Sequence, residues 1–71
     1  MAVPEKVDRL VESYLNGNRA AVAAGLRRMH KIGVLQFAQA LQNATRHSPN
    51  PENGINTTIR LLQMELPARY K

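Results

Sequence analysis

The chain is expected to fold as an all-α domain: a small bundle of three to four short helices that works as a dimer. Three observations point there. Alanine, leucine, arginine and glutamine, all good helix formers, dominate its middle, and no β-branched run alternates at period two. Apolar residues recur at i, i+3, i+4 and i+7 in several windows. Finally, 71 residues make a single helical domain, residues 1–71, with no cysteine to staple it. A core of that size is marginal, and a second copy is the expected way to enlarge it.

The first helix follows Pro4, whose missing N–H suits a first helical turn. Val7, Leu10, Val11, Tyr14 and Leu15 form its apolar stripe, with Glu5, Asp8 and Glu12 on another face. Asn16-Gly17-Asn18 ends it: Gly17 can adopt the left-handed conformation of a C-terminal cap, and Asn18 can cap the next helix. The second helix starts near Arg19, with Val22, Leu26 and Met29 on one side and Arg27, Arg28 and Lys31 on the other. Val34, Phe37, Ala38 and Leu41 make another helical set, rotated by roughly a third of a turn at ~100° per residue. A break at Ile32-Gly33 reconciles the two sets and places a third helix over Val34 to Thr45.

Two prolines, two asparagines and a glycine mark the loop from His47 to Gly54. Asn50-Pro51-Glu52 reads as the start of a fourth helix, with Ile55, Ile59, Leu62 and Leu66 as its buried stripe and Pro67 as its stop. The expected core is thus Val7, Leu10, Val11, Tyr14, Val22, Leu26, Met29, Phe37, Leu41, Ile55, Ile59 and Leu62. Leu61 and Met64 fall off the fourth stripe and are expected to form the interface with a partner.

Little here supports catalysis. Ser13 and Ser48 have no evident base, the acids of the first helix face solvent, and the four glycines are isolated, so no phosphate loop exists. His30 and His47 are too far apart to begin a metal site. The chain is expected to be no enzyme, with no metal, no cofactor and no small-molecule substrate. No apolar run approaches the ~20 residues that span a bilayer, and the N-terminus has no signal-peptide character, so a cytoplasmic protein without a membrane partner is expected.

Charge is the informative feature. The formal net charge is +5, and the excess is concentrated in the middle. From Arg19 to Asn50 there are five bases, Arg19, Arg27, Arg28, Lys31 and Arg46, and no acid. A phosphate backbone suits such a surface, because each neutralised phosphate releases counterions and arginine offers a planar fork. Gln36, Gln39 and Gln42, with Asn43 beside them, would supply amides able to touch base edges. The candidate nucleic-acid-binding set is therefore Arg19, Arg27, Arg28, Lys31, Gln36, Gln39, Gln42 and Arg46.

An acidic protein surface could take the same arginines, and is the alternative partner. A standard helix-turn-helix is not expected. With Gly33 as its turn glycine, Met29 falls where a small residue belongs and Gln39 where an apolar one does. With Gly25, Lys31 takes the apolar place. Of the three aromatic residues, Tyr70 alone, beside Arg69 and Lys71, is placed to stack on a base, and packing over the end of the fourth helix is the plainer role for it.

Overall fold

Helix α1 (Glu5–Leu15) begins after Pro4, which stands at the N-cap without a side-chain bond to the first turn. Gly17, at φ 89°, reverses the chain, and Asn18 then caps α2 (Arg19–Arg27) by accepting from the Ala21 N–H at 3.4 Å. A three-residue turn, Arg28-Met29-His30, leads into α3 (Lys31–Ala44), and a loop over 45–53 leads into α4 (Gly54–Gln63). A short 3-10 turn, Ala68–Tyr70, closes the chain. The structure, a computed structural model, describes residues 4–70; Lys71, named beside Tyr70 above, lies outside them. Among the described residues there is no strand, and the all-helical bundle expected from the composition is what is found.

In section the helices form a ring in the order α1, α2, α4, α3, because α1 and α4 each pack against both α2 and α3. The thinnest dimension, 18 Å, is that of two helix layers at about 10 Å each. Val7 of α1, Val22 and Leu26 of α2, and Phe37 and Leu41 of α3 fill the centre and are fully buried. Val11, Tyr14, Ala23, Ala24, Leu61 and Leu66 complete the core, with Leu10 and Met29 among the residues half-buried against it.

Three expectations are corrected. The break between α2 and α3 lies at residues 28–30, not at Ile32-Gly33. The missing cap is His30, whose Nδ1 accepts from the Ile32 N–H at 3.3 Å, and Gly33 sits inside the first turn of α3. Next, α4 is capped by Asn53, which accepts from the Asn56 N–H at 3.0 Å, and not by Asn50.

The third correction is the largest: α4 faces the other way. Gly54, Thr57, Thr58 and Leu61 are its buried face, while Ile55, Ile59 and Leu62 are exposed. Leu61 and Met64 therefore belong to the inside. Leu61 is 3% exposed, and Met64 is half-buried against the same core. The reason is the contact with α3. Gly54 lies so close to the Ala38 backbone that a Cβ on it would overlap the Ala38 carbonyl oxygen. Any side chain at position 54 would hold the two helices apart.

The loop before α4 is tied down by hydrogen bonds. Thr45 Oγ1 donates to the Leu41 carbonyl at 2.9 Å and accepts from the Glu52 N–H at 3.0 Å. The Glu52 carboxylate accepts from Tyr14 Oη at 3.0 Å and from Thr57 Oγ1 at 2.9 Å, which links α1, the loop and α4. Among the described residues no buried side-chain nitrogen or oxygen lacks a partner.

Candidate nucleic-acid interface

The eight expected contact residues do not form one surface. At ~1.5 Å per residue, the end of α3 at Ala44, just before Arg46, lies about 20 Å from Lys31, and Arg19 about 12 Å along α2 from Arg27. Three separate places result.

The first is the corner between α2 and α3, which gathers Arg27, Arg28, His30 and Lys31, all exposed. The turn is tight because His30 caps α3. With Nδ1 accepting from the Ile32 N–H, Nε2 is the ring nitrogen left to donate. Arg27 is partly committed: its Nη2 donates to the Leu62 carbonyl at 3.2 Å and, more closely, to the Met64 carbonyl. It thereby holds the C-terminal end of α4, whose last carbonyls have no partner within the helix. Arg28 and Lys31 make no such bond, and no carboxylate of the described residues lies within ion-pair distance of either. The Arg9–Glu5 pair within α1, at 2.7 Å, is the one ion pair among the described residues. The acids of α1 thus do not neutralise the arginines of the middle helices within the chain.

The second place is a cleft of ≈ 360 Å³ between α1, α2 and α4, lined by Tyr14, Arg19, Glu52, Arg60, Leu61 and Met64 among others. Arg19 stacks over the Tyr14 ring at 5.2 Å. The third lies beyond the end of α3, where Arg46 shares a depression with Gln42, Asn43 and Glu52.

The amides are divided as well. Gln42 Oε1 accepts from the Gly54 N–H at 3.2 Å and so belongs to the start of α4. Gln39 lines a groove with Leu35, Ala38 and Ile55, and Gln36 is half-buried. The exposed residues at the start of α3 are Lys31, Ile32 and Leu35, so the end that would read bases in a helix-turn-helix offers mainly aliphatic side chains. Tyr70 packs against the core under Arg69, which stacks on it at 5.0 Å; it is not presented to a base.

No family model, curated protein or solved structure matches the chain.

Sequence reasoning places His30 beside the basic cluster but misses its role as a cap, and it misses the role of Glu52 altogether. The signal for His30 was present, since an imidazole nitrogen three residues before Gly33 can accept like an Asn oxygen. For Glu52 none was, because its partner Tyr14 lies 38 residues away in sequence. Among the described residues no helix is long and apolar enough to cross a membrane.

Proposed function

We propose that the chain is a non-catalytic binding domain that docks on a nucleic-acid backbone through the α2–α3 corner. Arg28 and Lys31 take phosphates directly, His30 donates from Nε2, and Arg27 adds positive charge while holding α4. The observation that carries this reading is that Arg28 and Lys31 are exposed without an acidic partner, inside a stretch that has no acid from Arg19 to Asn50. Such a site binds by charge and shape. The amides of α3, occupied or set among aliphatic groups, leave base reading a minor part.

Titrating labelled duplex and single-stranded oligonucleotides at rising salt tests it. Binding falls linearly on a log–log plot, and Arg28→Ala and Lys31→Ala each reduce the slope by about one. Absence of binding at ~50 mM salt removes the reading, because non-specific affinities of roughly 10⁻⁴ to 10⁻⁶ M are visible there. One observation favours an acidic protein partner as the second reading: Ile32, next to Lys31, is 62% exposed, and a phosphate backbone makes no use of it.

A further inference from the structure

One face of the bundle remains without a partner. Helices α3 and α4 run antiparallel: Gly54 meets Ala38 and Gln42 at one end, and Arg27, just before α3, reaches the Leu62 carbonyl at the other. Leu35 and Ile55 line one groove of ≈ 330 Å³ with Gln39. Ile59 and Leu62 follow Ile55 at i+4 and i+7, and Ile32 precedes Leu35 at i−3, so all five aliphatic residues share this side of the two helices. Ile32, Leu35 and Ile55 are 60–62% exposed, Ile59 46% and Leu62 36%. Together they leave on the order of 500 Å² of apolar surface open, at the upper end of what monomeric proteins show.

We infer that a second copy of this chain docks on the α3–α4 face, two helices against two, about a two-fold axis. Charge decides the occupant. A chain of net charge +5 repels its twin wherever its bases meet, yet no charged residue stands between Ile32 and Thr45. The only charge of α4 is Arg60, and it lines the cleft with Tyr14 and Arg19 on the other side of the helix. Arg27 and Lys31 flank the Ile32–Leu62 end, so the part of the face from Leu35 to Ile59 is where two copies can approach without repulsion, and that part offers nothing to attract an acidic partner. Gln39, set between Leu35 and Ile55, carries both donor and acceptor and can bond its own twin across the axis. Area agrees. A two-fold contact buries the same patch on both copies, about 1,000 Å² of apolar surface before its polar rim is counted, close to the roughly 1,200–2,000 Å² of stable interfaces.

Sedimentation equilibrium of the full chain at micromolar concentration tests this without any nucleic acid, so its outcome is separate from that of the backbone-binding reading. The expected mass is twice the 7.9 kDa of the chain. Leu35→Glu and Ile55→Glu each raise the dimer dissociation constant by about 100-fold or more, since each buries a carboxylate in an apolar contact. Leu15→Glu, at an equally exposed leucine near the end of α1, leaves it unchanged. The unmodified chain gives a second readout: its melting temperature rises with protein concentration if it dimerises and stays constant if it does not. A monomer at several hundred micromolar, or a dimer indifferent to either glutamate, overturns the inference; a monomer would assign the face to a different protein.

Discussion

Helices α1 and α4 are nearly equal in length, 11 and 10 residues, and both are amphipathic, yet they are held by different forces. α1 buries Val7, Val11 and Tyr14 and keeps its acids in water. α4 buries a glycine, two threonines and one leucine, and turns Ile55, Ile59 and Leu62 outward. Burying an aliphatic side chain is worth roughly 1.5–3 kcal/mol, so α4 in a lone chain forgoes several kcal/mol. What it gains is closeness. Gly54 meets the Ala38 backbone directly, Thr58 Oγ1 bonds the Gly54 carbonyl at 2.6 Å, and Thr57 Oγ1 bonds Glu52. Thus α1 is anchored mainly by aliphatic and aromatic burial, and α4 by the backbone approach at Gly54, the burial of Leu61 and the Thr57–Glu52 bond, with its aliphatic face free for a partner.

The contrast breaks most sharply at Gly54. Gly54→Ala is expected to cost about 3 kcal/mol, a large share of the stability of so small a domain, because the added carbon must displace backbone rather than a flexible side chain. A urea titration reads this as a lower midpoint, and an unchanged midpoint would mean that α4 does not approach α3 so closely.

Next come paired truncations. Val11→Ala removes two buried methyl groups and is expected to cost about 2 kcal/mol. Ile59→Ala, at an exposed site, should leave the fold of each copy within about 0.5 kcal/mol while weakening self-association. The reverse ranking in thermal unfolding of dilute protein would show that α4 buries its aliphatic face after all.

The link between the two helices is testable through Glu52. Tyr14→Phe is expected to cost about 1 kcal/mol, the worth of a partly exposed hydrogen bond to a carboxylate. Combined with Thr57→Val it should cost less than the sum, since both hydroxyls bond the same carboxylate; strict additivity would show that the three groups do not act together.

The smallest effects concern the caps. Asn53→Ala removes the side-chain cap of α4 and should cost up to about 1 kcal/mol. Pro4→Asp supplies α1 with a cap it lacks and should gain about 0.5 kcal/mol. A melting curve that ranks the two otherwise would mean that α1 frays at its start whatever stands at position 4.

Much of the fold is legible in the residues. The helical content, the bounds of α1, the reversal at Gly17 and the cap at Asn18 follow from local chemistry, because each depends on neighbours within four positions. The buried residues Val7, Val11, Tyr14, Val22, Leu26, Phe37 and Leu41 follow from periodicity, because those stripes face the other helices, while Leu15 of the α1 stripe and Ile32 and Leu35 of α3 stay exposed. The break after α2 was legible as a change of phase but not in position, since the capping residue is an imidazole and not one of the usual caps.

The candidate site was legible only as a composition. The acid-free stretch and its five bases are written in the sequence, whereas their separation into a corner, a cleft and a helix end depends on the ring order of the helices. Likewise the commitment of Arg27 to the end of α4 and of Gln42 to its start joins residues that no local pattern relates. By itself the sequence determined the helices, the reversals and the charge, all of which arise within a few residues. Only the tertiary structure decided which face of α4 points inward, because that depends on how closely two backbones can meet at Gly54 and Ala38 and not on which side chains are more apolar.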